Sequence, residues 1–285
     1  FHKMIKTSNT ILKKILIKTK RAVFSEIVGN NTSYLKGEGY DFCELKEYEY
    51  GEDVKNIDWI ISAKMQKPYS KVFHVQKELN ICIVPILCGS VFFGSKKLKH
   101  EVITEICTIL AYSSVKQGDP FESYIANEDV KLNSKKTKTI FGVYSMAQKL
   151  MEYNCLHKNI NYQKITNELY KKINKRSILF LIGDFFDTTS LDLKLLNKKH
   201  EVIVIIVRDH FEENPIELGN VNLVDPSTGT RFEGNINKSL IKNYKTKVKQ
   251  NDHDFFTNLQ QNGIKFTKVY TNEEPLSKIV GLINR

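Results

Sequence analysis

Two acids three positions apart, Asp184 and Asp187, follow an apolar run in Gly183-Asp184-Phe185-Phe186-Asp187. Loops after buried strands are where α/β proteins place ligands. With neighbouring acids, this pair could hold Mg²⁺ for a phosphodiesterase or nuclease. Asp252-His253-Asp254 offers a second metal or acid–base set, but it falls in a long polar helical pattern, where adjacent residues point in different directions. Cys88, beside Gly89 at the end of another apolar run, is either a reactive thiol or a buried, inert one, and the inert reading is preferred. The seven histidines (2, 74, 100, 157, 200, 210 and 253) show no HxxxH or HExxH spacing, and no serine sits in GxSxG. Zinc and serine hydrolases therefore lack support. The absence of GxGxxG and GxxxxGK[ST] removes support for dinucleotide and P-loop sites. Five cysteines without a CxxC pair argue against a disulfide framework or zinc ribbon and make a reducing cytoplasm the simplest setting.

These side chains need a scaffold. Ile81–Leu87, Phe121–Ala126, Ser177–Ile182, Val202–Val207 and Lys265–Tyr270 read as strands. Helical patterns fall at 98–116, 141–152, 161–174, 191–198, 238–261 and 276–283. Apolar strands alternating with helices predict an α/β fold, a doubly wound, mostly parallel sheet covered on both faces. Val221–Val224 and Thr230–Glu233 flank Asp225-Pro226-Ser227-Thr228-Gly229, a hairpin excursion near 219–234. No apolar run approaches the roughly 20 residues of a membrane span.

The net charge of +11 is unevenly spread. Residues 1–36 carry eight basic residues and one acid, a net of +7, which leaves only +4 for the rest. A mildly basic globular part weakens a nucleic-acid reading. Leu12, Leu16, Val23 and Ile27 recur at helical spacing among lysines, so residues 1–29, helical over about 5–28, read as a basic amphipathic helix. Its stripe packs on the protein itself, or residues 1–28 meet an anionic membrane surface or an acidic partner. The chain begins at Phe1 rather than Met, which leaves a trimmed upstream segment open.

Residues 30–80 form a charged, β-rich signature region, and 81–285 the main domain. Gly37, Gly39, Asp41, Phe42, Glu44, Leu45, Tyr48, Gly51, Glu52, Asp53, Ile57, Asp58, Trp59, Ser62 and Ala63 carry a specific pattern. Lys116-Gln117-Gly118-Asp119 and the Asp225-Pro226 hairpin extend it. The text resembles a bacterial family of formerly unknown function whose members carry a von Willebrand factor A-like domain and are often encoded beside MoxR-type AAA+ ATPases. Where that family has arginine, Lys46, Lys55 and Lys64 stand here, which loosens the bidentate pairing expected there.

The resemblance implies a divalent-cation site built from Asp-x-Ser-x-Ser after the first strand, a threonine and a third-loop aspartate. Ile86 and Cys88 occupy the first aspartate and first serine positions, Ser90 survives, and Asp184 matches the third loop. Thr137 and Thr139 are candidates for the threonine. A degenerate site with no bound metal and no cofactor is expected, Asp184 instead capping the next helix or binding loop amides. The implied function is a non-enzymatic adaptor for a MoxR-type ATPase or its client. Glu44, Lys46, Asp53, Lys55, Asp58, Trp59, Ser90 and Asp184 are the expected partner-binding residues. Trp59, the only tryptophan, reads first as a core anchor and second as a partner contact. A peripheral membrane protein and the Mg²⁺-dependent phosphodiesterase on Asp184 and Asp187 remain the alternatives.

Overall fold

The apolar runs become the centre of a six-stranded sheet. The computed structural model describes residues 11–16, 19, 41–74, 79–217 and 219–283. It divides into two units, Glu26–Glu78 and Leu79–Arg285, the latter grouped with Phe1–Ser25. Residues 11–16 are helical (α1), with Leu12 and Ile15 buried, Leu16 half-buried, and Lys13 and Lys14 exposed. Of the expected stripe, Leu12 and Leu16 are described; Ile15 is not part of it. Val23 and Ile27 lie outside the described residues.

In the smaller unit β1 (Asp41–Glu47) pairs antiparallel with β2 (Tyr69–His74), and α2 (Trp59–Met65) lies between them in sequence. Asp58 caps α2 by accepting from the amides of Ile60 and Ile61 at 3.0 and 3.1 Å, and it pairs with Lys71 at 2.9 Å. Ser62 Oγ accepts from the Tyr69 amide at 2.8 Å, which ties helix to strand. The reading of Trp59 as a core anchor is overturned: it is 67% exposed. The unit is too short to enclose an apolar centre, and α2 buries none of its residues. A cap and a side-chain tether hold this helix, leaving its indole outside.

In the larger unit β3 (Ile81–Pro85), β4 (Phe121–Ala126), β6 (Ile178–Gly183), β7 (Glu201–Arg208) and β10 (Lys265–Tyr270) run parallel. An unexpected strand, β5 (Val130–Thr137), closes one edge antiparallel to β4. Its lysines 131, 135 and 136 hid it from a search for apolar runs. The order is β10-β7-β6-β3-β4-β5, with β10, which carries Lys265 and Lys268, on the other edge.

Successive strand residues feed opposite faces, as the pleat requires. Ile81, Ile83, Phe180, Ile182, Ile203 and Ile205 pack with α3 (Lys99–Lys116), α4 (Ile140–Glu152) and α9 (Pro275–Ile283). Cys82, Val84, Leu179, Leu181, Val204 and Ile206 pack with α5 (Tyr162–Lys172), α6 (Lys194–Lys199) and α8 (Lys238–Gln261). Burial of this kind contributes roughly 1.5–3 kcal/mol per large apolar side chain. The fold is therefore mixed α/β with a mostly parallel sheet and helices on both faces. A short helix, α7 (His210–Glu213), follows β7, and β8 (Gly219–Val224) and β9 (Arg231–Ile236) form the anticipated hairpin. Among the described residues no helix is long and apolar enough to cross a membrane.

Candidate functional site

The chain runs from β3 to β4 on one side, then returns to place β6 on the other side of β3. The loops after β3 and β6 therefore part at the C-terminal end of the sheet, the usual place for a ligand crevice. Cys88 and Ser90 come from the first loop and Asp184 from the second. Cys88 Sγ lies 2.9 Å from Ser90 Oγ, and Ser90 Oγ donates to Asp184 Oδ2. Three of the four positions read from the sequence thus meet. The fourth, Ile86, is core: it is 2% exposed, packs among Val84, Leu181 and their neighbours, and its amide donates to the Ile182 carbonyl at 2.7 Å.

The crevice is filled by a group no motif announced. Lys99, in the first turn of α3, is fully buried, and its Nζ lies 3.1 Å from Asp184 Oδ2 and 2.6 Å from Glu212 Oε1. Burial alone would push the Asp184 carboxyl up, but Lys99, the Ser90 hydroxyl and Arg208 outweigh it and hold it below the usual carboxylate range. Burial does prevail at Glu212, whose carboxyl is raised despite Lys99. The expectation that Asp184 caps a helix or binds loop amides is corrected. Its side chain serves an ammonium and a hydroxyl.

Arg208, at the end of β7, fixes the same loop from beneath. Its Nε donates to the Asp184 carbonyl at 2.5 Å, and its Nη2 to the Phe185 carbonyl at 2.8 Å and to Asp252 Oδ1 at 3.0 Å. The guanidinium lies 3.6 Å from the Phe186 ring centre. Phe185 holds a left-handed backbone (φ 48°), costly for an aromatic residue. Arg208 grips the carbonyls on either side of that Cα, and Phe185 stacks between Tyr162 and Phe255. Lys268 joins Asp252 at 2.7 Å and Glu213 at 2.8 Å, extending the network to the sheet edge. Asp209 is fully buried: burial opposes its charge, but the Ser95 amide, the Thr271 hydroxyl and the Phe211 amide hold it below the ordinary range.

Other expected residues fall elsewhere. Thr137 and Thr139 lie at the opposite end of the sheet, because Thr137 pairs with Phe121 at the start of β4. Thr139 caps α4 there, so neither is a ligand for this crevice. The antiparallel direction of β5, unseen in the sequence, is the reason. Asp187 is exposed and accepts from Thr189, apart from Asp184's partners. The pair does not converge as a two-carboxylate site. Asp252, set aside on sequence grounds, belongs to the network, whereas His253 and Asp254 point outward. Cys88 is 5% exposed, and burial followed by the Asp184 charge pushes its thiol up to about 11, an inert state at neutral pH. In the smaller unit Glu44, Lys46, Asp53 and Lys55 are exposed, Lys46 pairing with Glu52 and Asp53 accepting from the Lys55 amide at 3.0 Å.

The donor set does not suit a divalent cation. An ammonium stands between the two carboxylates, a thiol replaces a hydroxyl, and among the described residues no three His, Cys, Asp or Glu side chains gather as a metal needs.

Over the crevice lies the β8–β9 turn. His157 N donates to the Pro226 carbonyl at 3.0 Å, and a Cβ on Gly89 would overlap the Pro226 carbonyl and Ser227 amide. Gly89→Ala is expected to undock this turn at a cost of about 1–3 kcal/mol. Amide exchange at residues 225–230 should quicken while β6 and β7 stay protected. Unchanged exchange at the turn would show that the contact carries no energy.

The fold and crevice define a mixed α/β protein whose strand-end site is closed by its own ion pairs. The chain belongs to the family described as "Protein of unknown function DUF58", which matches residues 44–254. Uncharacterized proteins of Mycobacterium bovis and Mycobacterium tuberculosis are 19% identical over 277 residues, 95% of this chain and 87% of theirs. Among solved structures, the conserved hypothetical protein BatB from Bacteroides thetaiotaomicron is 14% identical with a TM-score of 0.44, over 72% of this chain and 97% of that one. An aerotolerance-related membrane protein from Bacteroides fragilis is 11% identical with a TM-score of 0.45, over 72% and 98%.

Proposed function

We propose that the chain is a non-enzymatic protein-interaction module of von Willebrand factor A-like architecture that works with a MoxR-type AAA+ ATPase and needs no divalent cation. One observation carries this reading: the Lys99 ammonium sits between Asp184 and Glu212. A cation-dependent domain would need free oxygens in that crevice, and the Mg²⁺-dependent phosphodiesterase alternative would need Asp184 free to hold the ion. Here the carboxylates are committed to an internal partner. The smaller unit supports contact with a protein, since Val54, Trp59, Ile60 and Met65 are exposed beside Lys55 and Asp58. The ATPase as partner rests on the resemblance of the Gly37–Ala63 signature.

Purification from native cells is the direct test. A stoichiometric AAA+ ATPase should accompany the protein, the complex should survive EDTA, and titration of the protein with Mg²⁺ or Mn²⁺ should give no heat. Dissociation in EDTA would defeat the cation-free reading. Nucleic acid in place of the ATPase would defeat the module reading.

A further inference from the structure

We infer that the groove between the Pro215–Glu217 segment and the first half of α8 docks an acidic, apolar-bearing segment of a partner protein. This rests on the protein-interaction reading above and adds a surface and a partner chemistry to it. The groove has a volume of about 630 Å³. Lys238, Lys242, Lys245 and Lys249 line it from α8, at spacings of four, three and four that place them on one helical face. Pro215, Ile216 and Ile241 supply its apolar lining.

Among the described residues only Lys238 of the four has an ion-pair partner, Glu217 at 3.7 Å. Elsewhere this protein pairs its important lysines closely, as at Lys99 and Lys268. Three unpaired ammonium groups along one wall repel one another, and a negative occupant relieves that repulsion. The lysine row rises about 16 Å along the helix, the reach of one short peptide segment.

The lining chemistry selects the class of occupant. None of its nine residues is aromatic or arginine, so it offers no stacking platform and no planar fork for bases or phosphates. Its apolar surface is small, an exposed Ile216 beside a nearly covered Ile241, too little to insert into a bilayer. Ile216 is 61% exposed, a bulky aliphatic group left uncovered beside the positive charges. Carboxylates for the lysines and a Leu- or Phe-sized side chain for Ile216 complete the fit.

The test uses the full chain and a fluorescein-labelled dodecapeptide alternating Glu or Asp with Leu or Phe, read by anisotropy. Saturable binding is expected. It should weaken at least about tenfold in Lys242→Glu/Lys245→Glu/Lys249→Glu, as the reversal of three screened charges implies. It should also weaken in Ile216→Ser, and with a peptide whose Leu and Phe are replaced by Ser. These are exposed positions, and circular dichroism checks that the variants remain folded. Equal binding of polyglutamate, or of the peptide by the triple variant, would overturn the groove. So would single-stranded RNA or phosphatidylserine vesicles binding through the same lysines while the peptide does not, or self-association lost in the triple variant. An ATPase complex that persists while the peptide fails to bind would sink the groove and leave the proposed function standing.

Discussion

Lys99→Met is expected to destabilise the protein by about 3–5 kcal/mol, the usual effect of removing one member of a buried ion pair. The methionine fills the stem's volume, so a cavity is not the cause. The loss comes from Asp184 and Glu212, left within a few ångströms of each other without the ammonium that both now share. Adding Asp184→Asn removes one of those charges and keeps an acceptor for the Ser90 hydroxyl. The double variant should therefore regain about 2 kcal/mol over Lys99→Met. Urea denaturation of the parent, both single variants and the double variant gives the coupling. Additive effects, or a Lys99→Met cost below about 1 kcal/mol, would mean that the ammonium is not the keystone of the crevice.

A second large effect lies in pH. His100, next along α3, is 3% exposed, has its ring centre 5.2 Å from that of Phe92 in a tilted arrangement, and has an Nε2 without a partner among the described residues. Burial lowers its pKa to about 4, against a weaker opposing contact with the Leu150 backbone. The folded protein thus holds a neutral imidazole that the unfolded chain protonates near pH 6.5. Stability from this group is complete above pH 6.5 and is lost as pH falls from 6.5 to about 4, by up to about 3 kcal/mol. Asp184 and Asp209, held below the ordinary carboxylate range, add their loss only at still lower pH. Glu212, raised by burial, acts in the opposite direction. Because these carboxyls are common to both chains, the difference between parent and His100→Phe isolates the histidine. The parent should lose more stability than the variant between pH 6.5 and 4. Parallel curves would show that His100 is not held neutral.

Legibility in the sequence followed physical cause. The parallel strands were readable because a strand covered on both faces must be apolar throughout, as Ile178–Ile182 and Val202–Val207 are. The hairpin was readable from Asp225-Pro226 and Thr228-Gly229, whose turn chemistry is local. β5 was not, because an edge strand keeps one side in water and its lysines break the apolar signal. Cys88, Ser90 and Asp184 were found together through their places at strand ends. Lys99 was missed because its function depends on residues 85 and 113 positions away, and Ser95-Lys96-Lys97-Leu98-Lys99 reads like any solvated run. One signal was available: Lys99 lies three and four positions before Val102 and Ile103, on the apolar face of α3, and a charge on an enclosed face must find a partner. Arg208 at the end of a fully apolar strand gave a similar cue. Trp59 misled because a tryptophan's tendency toward burial presumes a unit large enough to enclose it.

The lysines that hid β5 also bear on how copies of the protein coexist. The outer strands of an open sheet present unpaired amides and carbonyls, ready templates for a strand from another molecule. Lys131, Lys135 and Lys136 lie along the β5 border, whereas at the β10 border Lys265 and Lys268 are already paired with Glu201, Glu213 and Asp252. Two copies meeting β5 to β5 would bring like charges together before any ladder could form. Outside its basic N-terminal segment the protein carries little excess charge, yet it places positive charge where an open sheet is most adhesive, and so favours separate molecules over stacked ones at high concentration.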